Sequence, residues 1–223
     1  MALKFLDMEQ YPRRAHFEYF RSLAYPYVGV TVDVDVTDAL RCCRTHKHSF
    51  YLTFLHAAAL AADGVPELRQ RIRGDRIVEY SECPTSHTEP VEGGAYCYCT
   101  LHHHMPLQRY YELAEQARKD CAANGITEDE DVESMYFIST LPWLNYTSLI
   151  QPVAGGDESN PRITWGKYVT GPDGRTRMPV SILAHHALVD GAQLAAFYEN
   201  LDRELANLVM EEQRETAEDA YTG

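Results

Sequence analysis

Residues 181–191 constrain the fold and chemistry of this chain more than any other stretch. An apolar run that ends at Ala184 leads into two adjacent histidines, His185 and His186, and Asp190-Gly191 begins four residues after the second of them. If the apolar run is a strand, neighbouring side chains point to opposite faces of the sheet. We therefore expect one histidine to be buried as a structural group while the other faces a cleft.

The spacing of polar groups in this stretch suggests a site at a strand-to-helix turn. An imidazole titrates near neutrality, so a histidine at the end of a strand is a candidate general base. Asp190-Gly191 is typical of a turn into a helix, with the carboxylate placed to cap that helix or to pair with a cation. A lone histidine is more often a core residue with a satisfied hydrogen bond. The pattern His-His-x-x-x-Asp-Gly between a strand and a helix is more specific.

This motif resembles the catalytic signature of the chloramphenicol acetyltransferase family, and the pattern recurs in the acyltransferase domains of 2-oxoacid dehydrogenase complexes. The chloramphenicol enzymes are the closer match, because the resemblance runs over nearly the whole chain. No lipoyl-type domain or flexible Pro/Ala linker precedes the catalytic part, which disfavours a dehydrogenase-complex core. The matching pieces are residues 13–17, Ser49-Phe50-Tyr51, residues 141–148 and residues 164–168.

The resemblance implies an α/β fold, an α+β two-layer sandwich in which a mixed β-sheet packs against helices, as in coenzyme A-dependent acyltransferases. A chain of 223 residues fits one domain with a sizeable core. We expect residues 1–210 to form a single acyltransferase domain. Residues 211–223 are expected to be an acidic, frayed C-terminal tail.

The resemblance also assigns roles to catalytic residues. His186 would take the proton from an acceptor hydroxyl as it attacks a thioester, and Ser148 would donate a hydrogen bond to the oxyanion that forms. No acyl-enzyme is needed, because a thioester is already activated. Asp190 would pair with Arg13 and hold the shape of the site rather than orient the base. Thr164 would hold a water beside the intermediate.

Acetyl-CoA is the cosubstrate that the resemblance implies, with Lys167, Tyr168 and Tyr51 as coenzyme-binding residues. The family usually has a basic residue immediately before the Phe-Tyr pair. This chain has Ser49 there, with Lys47 just upstream, which weakens one expected coenzyme contact. The resemblance further implies a homotrimer in which each active site lies between neighbouring subunits.

The acceptor pocket is expected to contain four tyrosines: Tyr25, Tyr27, Tyr98 and Tyr136. The well-known enzymes of the family favour phenylalanine and leucine, so these hydroxyl groups suit a more polar acceptor. The first hypothesis is an O-acetyltransferase acting on chloramphenicol or a similar small molecule, and hence an antibiotic-resistance enzyme. The alternatives are an acyltransferase of the same fold with another alcohol or amine acceptor, and a non-catalytic trimeric ligand-binding relative.

Charge and sequence pattern exclude several classes of function. The formal net charge of −13 argues against nucleic acid and anionic membranes as partners, and it requires local basic residues beside an anionic coenzyme. No apolar run reaches the ~18 residues of a membrane span, and no signal-peptide core is present near the N-terminus. We therefore expect a cytoplasmic protein. The sequence also lacks a Gly-x-Ser-x-Gly elbow, a dinucleotide fingerprint and a P-loop.

Cysteines and histidines give little indication of cross-links or metals. Six cysteines in a chain of this length without an export signal do not predict a disulfide framework. Three consecutive histidines occupy residues 102–104. If they continue a strand, their side chains alternate and cannot converge on one metal. The sequence therefore predicts no metal site.

Hydrophobic periodicity indicates where the elements lie. Period-3.6 patterns predict helices and period-2 patterns predict strands, with a hairpin that ends on the signature histidines. The predicted helices cover residues 12–23, 37–44 and 49–62, a segment from Pro106 to Asn124-Gly125, and a long C-terminal segment with Leu194, Phe197, Leu201, Leu205 and Leu208 buried. The predicted strands cover residues 27–36, several pieces of 76–101 with a bend at Gly93-Gly94, 135–141, 163–170 and 177–187.

Overall fold

The structure is a computed structural model that describes residues 2–90, 96–124 and 131–222. The predicted Gly93-Gly94 bend and Gly125 of the predicted helix stop lie outside these residues. The helices are α1 (Arg14–Arg21), α2 (Thr37–His46), α3 (Phe50–Asp63), α4 (Leu107–Asn124) and α5 (Gly191–Thr222), with short 3-10 helices at Pro66–Arg69 and Val132–Ser134. The strands are β1 (Leu3–Phe5), β2 (Tyr27–Asp35), β3 (Gln70–Arg73), β4 (Arg76–Tyr80), β5 (Thr85–Pro90), β6 (Tyr96–Leu101), β7 (Tyr136–Leu141), β8 (Arg162–Gly166), β9 (Val169–Thr170) and β10 (Thr176–His185).

The strands form one large mixed sheet and one small sheet. The large sheet has the order β2-β10-β8-β7-β5-β6, with β9 paired to β10, and the small one has the order β1-β4-β3. The pairs β5–β7 and β7–β8 are parallel, and the other pairs of the large sheet are antiparallel. This mixed sheet with helices packed against it confirms the predicted fold class.

Helices α3 and α5 both bury apolar side chains in the core. Helix α3 is apolar on nearly all sides and is almost completely buried, as expected for a helix inside a core. Helix α5 buries the five-residue stripe that its periodicity predicts, from Leu194 to Leu208. Its backbone continues to Thr222, so the helix extends past the boundary at residue 210 that the sequence suggested.

Strand β2 lies at the edge of the large sheet and is only partly covered. Its valines alternate along the strand as predicted, and Val34 is buried. Val30 and Val32, on the same face, remain exposed in the single chain. An edge strand with exposed apolar side chains is a typical surface for pairing with another chain.

Cysteine pairing differs from the sequence-based expectation. Cys97 on β6 and Cys121 on α4 form a disulfide, with their Cα atoms 6.0 Å apart. The two cysteines are 24 residues apart, and the packing of α4 on β6 brings them together.

None of the helices in the described part of the chain combines the length and the apolar character that crossing a bilayer requires.

Candidate active site

The two signature histidines occupy different environments, as strand alternation predicts. His185 is the last residue of β10 and is buried. Its Nε2 donates to the carbonyl of Gly156 at 2.7 Å, and its Nδ1 accepts from the Ala187 amide at 3.2 Å. Burial lowers the pKa of His185. A neutral ring with both nitrogens bonded is a structural group, so His185 supports the loop at residue 156.

His186 lies just past the strand and is only half-buried. Its Nδ1 donates to the carbonyl of Val189 at 2.8 Å, which places the proton on Nδ1 and the lone pair on Nε2. The ring stacks on Phe20 with centroids 3.7 Å apart, and the backbone amide donates to Pro26 at 2.7 Å. No group within residues 2–90, 96–124 and 131–222 bonds to Nε2, so its lone pair is free to accept a proton.

Helix α1 holds the backbone at His186. His16 donates from Nε2 to the carbonyl of His186 at 2.9 Å. Burial, and then the charge of Arg13, lowers the pKa of His16. Neither His16 nor Phe20 is among the site residues that the sequence predicts. Their spacing of four residues on a helix places them on one face and is the signal that could have identified them.

Asp190 connects the start of α5 with Arg13, the residue that precedes α1. Nη1 of Arg13 donates to Oδ2 of Asp190 at 2.6 Å, which confirms the predicted ion pair. Oδ1 of Asp190 accepts from the amide of Ala192 at 2.9 Å, while Oε1 of Gln193 accepts from the amide of Asp190 at 2.9 Å. This reciprocal pattern is a capping box. Asp190 therefore sets where the turn after His186 ends, and it does not touch the imidazole ring.

Replacing Asp190 separates its two contributions to stability. Asparagine caps a helix about as well as aspartate, so Asp190→Asn removes only the charge-assisted bond to Arg13. We expect it to lower the free energy of unfolding by about 1 kcal/mol, because both side chains are partly exposed. Asp190→Ala also removes the cap and should cost about 1 kcal/mol more. Urea unfolding at one fixed protein concentration measures both values.

The stability difference between the native protein and Asp190→Asn should depend on pH, because the pKa of Asp190 is shifted in the folded state. The hydrogen bond from Arg13, and then that from the Ala192 amide, lowers this pKa. The ionised carboxylate therefore stabilises the fold above its unfolded pKa of about 4, and the contribution is lost as pH falls through the lower, folded pKa. The difference in unfolding free energy between the native protein and Asp190→Asn should therefore become smaller as the pH is lowered. A difference that stays constant down to the acid transition would contradict the assignment.

A second group of site residues surrounds a cavity of about 640 Å³. This volume is in the range of small-molecule sites. Thr164 on β8 lines the cavity, and its hydroxyl donates to Oε1 of Gln151 at 3.0 Å. Ser148 is exposed and lies next to Leu149, which also lines the cavity. Other lining residues include Tyr98, Phe137, Ile138, Ser139, Ile150 and Arg162.

His186 and this cavity do not meet within one chain. Thr164 lies opposite Ser181 in the pairing of β8 with β10. His186 is five residues further along, and a strand rises about 3.3 Å per residue, so Thr164 and His186 are separated by roughly 17 Å along the sheet. We call the surroundings of His186 the imidazole half, and the cavity lined by Thr164, together with the neighbouring Ser148, the cavity half.

The three residues expected to bind the coenzyme gather near the start of α3. Lys167 and Tyr168 follow β8 and are exposed. The ring of Tyr168 contacts Phe50 edge-on, with centroids 5.8 Å apart. Tyr51 is half-buried, and its ring lies 5.8 Å from that of Trp165. Ser49 caps α3 through the amide of Leu52 at 3.4 Å, which explains a serine at this position in structural terms.

The four tyrosines expected in the acceptor pocket lie in three places. Tyr98 lines the 640 Å³ cavity. The rings of Tyr25 and Tyr27 contact each other at a tilt, with centroids 5.2 Å apart, at the start of β2 beside His185, and the hydroxyl of Tyr27 donates to the carbonyl of Glu158 at 2.8 Å. The prediction for Tyr136 is wrong. Its side chain is fully buried and donates to Oδ1 of Asp63 at 2.7 Å, because strand alternation turns it to the face opposite the cavity-lining Phe137.

Tyr136→Phe tests whether the side chain of Tyr136 is a buried core group or part of the acceptor pocket. The change removes a hydrogen bond to a buried carboxylate and should lower the free energy of unfolding by roughly 1–3 kcal/mol. The KM for the acceptor should not change, because the ring does not reach the cavity. Tyr98→Phe is the matched control, since Tyr98 lines the cavity. Steady-state kinetics on both variants would contradict this placement if only Tyr136→Phe altered the acceptor KM.

Comparison with known proteins assigns the chain to a family. The family model described as Chloramphenicol acetyltransferase matches residues 1–202. The chain belongs to the chloramphenicol acetyltransferase family. Proteins named Chloramphenicol acetyltransferase from a Klebsiella species and from Escherichia coli are each 30% identical over 206 residues, covering 89% of this chain and 91% of theirs. Membership confirms the resemblance and identifies the chain as an acyltransferase.

Solved structures show the same fold in this family and beyond it. A structure titled chloramphenicol acetyltransferase superposes with a TM-score of 0.80 at 24% identity, covering 92% of this chain and all of that one. The dihydrolipoamide acetyltransferase of Azotobacter vinelandii superposes with a TM-score of 0.63 at 16% identity, covering 87% of this chain and 86% of that one. At these identities the structural matches show a shared fold, which is the one that the signature motif suggested.

Proposed function

We propose that this member of the chloramphenicol acetyltransferase family is an acetyl-CoA-dependent O-acetyltransferase with His186 as its general base. The observation that carries the proposal is the free Nε2 lone pair, held in place by the bond from Nδ1 to Val189. A base fixed in one tautomer can take the proton from an acceptor hydroxyl without first breaking a hydrogen bond of its own. Stacking on Phe20 keeps the ring in one orientation.

The reaction then needs a donor for the developing oxyanion. The hydroxyl of Ser148 is exposed, next in sequence to the cavity-lining Leu149, and is our candidate. As the acceptor oxygen attacks the thioester carbonyl, its proton moves to Nε2 of His186, and negative charge collects on the carbonyl oxygen, where a hydroxyl donor stabilises it. Collapse of the intermediate expels the coenzyme thiolate, which takes the proton back from His186. Thr164 retains acceptor lone pairs for a water beside the intermediate.

A complete site requires two copies of the chain. Thr164 and His186 are separated by roughly 17 Å along the sheet of one chain, which supports the proposal that His186 meets Thr164 and Ser148 of a neighbour. A cyclic homotrimer provides such head-to-tail contacts, with one site at each of its interfaces.

Exposed apolar groups lie where that neighbour would bind. Trp143 is 78% exposed and Ile150 is 93% exposed, on either side of Ser148 in the sequence. Val30 and Val32 are exposed on edge strand β2. Large apolar side chains clustered on a surface are typical of subunit contacts. The exposure of Ile150, which lines the cavity, and of Trp143 therefore supports an interface at the cavity half.

Coenzyme binding is proposed near the start of α3, where Lys167, Tyr168 and Tyr51 gather. A chain with a net charge of −13 repels an anionic coenzyme at long range, so a lysine beside its phosphates would offset the field locally. The ring of Tyr168 offers an exposed apolar surface for the coenzyme.

The acceptor is chloramphenicol or another small hydroxylated molecule. The cavity has an apolar wall that includes Phe137, Ile138 and Ile150, as an aromatic antibiotic requires. It also has polar groups at Ser139, Gln151 and other positions, which favour the second candidate, a more polar alcohol or amine. Both candidates use the same base and the same thioester.

One assay distinguishes these candidates. Purified protein is mixed with acetyl-CoA and chloramphenicol, and release of free thiol is followed together with acetylated product. Acetylated drug at a rate that His186→Ala abolishes supports the proposal. Slow thioester hydrolysis without acetylated drug favours the other acceptor. Coenzyme binding with no turnover on a broad panel of alcohols and amines would overturn the assignment in favour of a non-catalytic relative.

A further inference from the structure

In the loop after β6, the imidazoles of His103 and His104 both lie within hydrogen-bond distance of the carboxylate of Asp63. Oδ2 of Asp63, the last residue of α3, lies 2.9 Å from Nε2 of His103 and 2.7 Å from Nε2 of His104. Strand alternation led us to expect that consecutive histidines could not converge here. That expectation is wrong because β6 ends at Leu101, so the two residues lie in irregular backbone and point the same way.

The three side chains have the geometry of a ligand set. Their candidate ligand atoms all lie within 4.8 Å of one another. Asp63 and His103 are buried, whereas His104 is 48% exposed, so an ion could enter from solvent on the His104 side. Oε2 of Glu82 lies 4.0 Å from Nε2 of His104, close enough to supply a fourth oxygen directly or through water.

Asp63 is held in one orientation by hydrogen bonds to the carboxylate oxygen that faces away from the two histidines. This oxygen, Oδ1, accepts from the hydroxyl of Tyr136 at 2.7 Å and from the amide of Cys83 at 3.2 Å. Partners of this kind fix the direction of a ligating oxygen and are typical of metal sites.

Ligand chemistry selects the class of ion. Two imidazole nitrogens with one carboxylate oxygen suit Zn²⁺, which commonly takes three protein ligands and keeps a fourth position for water. The formal charge of −13 on the whole chain also favours the capture of a cation.

We propose that Asp63, His103 and His104 form a Zn²⁺ site with Glu82 or water as the fourth ligand. The ion fastens residues 102–104 to the end of α3 and so connects the edge strand β6 to the helical core. These residues belong to neither half of the proposed active site, and acyl transfer from a thioester needs no metal. The site therefore stabilises the fold independently of the reaction.

Metal titration of the full-length, untagged protein tests the site. After treatment with a chelator and dialysis, ZnCl₂ is titrated in competition with a chromophoric chelator, and bound zinc is counted by mass spectrometry. We expect one tightly bound ion per chain. Saturation with Zn²⁺ should raise the melting temperature by roughly 5–10 °C at 100 times the dissociation constant. Cobalt substitution should give the intense visible absorption of a tetrahedral site.

Two neighbouring histidines provide a matched pair of variants. His104→Ala removes an exposed ligand, so it carries little risk to folding. Loss of a ligand's hydrogen-bond partner can weaken metal binding roughly 100-fold, and loss of the ligand itself should weaken zinc binding by more than that. His102→Ala is the control, because His102 faces Glu82 at 3.8 Å and not Asp63, and it should bind zinc within a few-fold of the native protein. Absence of stoichiometric binding, or equal affinity in the native protein and His104→Ala, would overturn the proposal.

Discussion

Replacing His186 with alanine should lower kcat by roughly 10²–10⁴-fold, the range that a positioned general base contributes. The KM for acetyl-CoA should hardly change, because the imidazole acts on the acceptor proton in the transition state and not on the bound coenzyme. Thiol release under saturating substrates measures the effect. The structure supports this expectation through the free Nε2 and the fixed tautomer of His186.

The matched control for that variant is His102→Ala, which removes another partly exposed imidazole far along the chain. It should leave kcat unchanged. Circular dichroism and size-exclusion chromatography should show that His186→Ala keeps its fold and assembly, because the Arg13–Asp190 pair and the cap of α5 do not involve the ring. A correctly assembled His186→Ala protein with nearly native kcat would exclude the residue as the base.

The second large effect is expected at Ser148. Removing one donor to a developing oxyanion costs about 10²–10³-fold in kcat, and Ser148→Ala should fall in that range. The side chain is exposed in the single chain, so its loss should change neither the unfolding free energy nor the oligomeric state. Steady-state kinetics and thermal unfolding of the same preparation measure both quantities.

Thr147→Ala is the control for Ser148→Ala, because it removes a neighbouring exposed hydroxyl from the same segment. It should retain kcat within a few-fold. If both variants lose activity to the same extent, the segment as a whole is being perturbed and no specific hydrogen bond to the oxyanion is present. A specific loss in Ser148→Ala alone supports the assigned role.

Local patterns in the sequence predicted the imidazole half of the site well. The alternation of side chains in β10 separated buried His185 from half-buried His186. The turn at Asp190 predicted the start of α5, and the resemblance to the family added the contact from Arg13. The alternation in β10 and the turn at Asp190 depend on short stretches whose backbone conformation follows from their own residues, whereas the contact from Arg13 joins distant parts of the chain and was indicated only by the resemblance.

Contacts that depend on where an element ends were not predictable in the same way. The sequence places Tyr136 in the pocket, but the register of β7 directs its side chain to the core. Strand alternation continued through the histidines after β6 predicts side chains that point to opposite faces. The strand instead ends at Leu101, and the side chains of His103 and His104 converge on Asp63. Cys97 and Cys121 pair because α4 packs on β6, a tertiary contact that carries no local signal.

The central claim is that each active site combines His186 of one copy with Ser148 of the next, and mixing two inactive variants tests it directly. His186→Ala and Ser148→Ala chains are co-expressed with different affinity tags, and mixed trimers are purified over both tags. Random assembly of equal amounts would place an intact histidine opposite an intact serine at about one quarter of the interfaces. We predict that the unselected mixture recovers about that fraction of native activity and that the mixed trimers exceed it. Activity no greater than the sum of the two variants would contradict a site shared between chains.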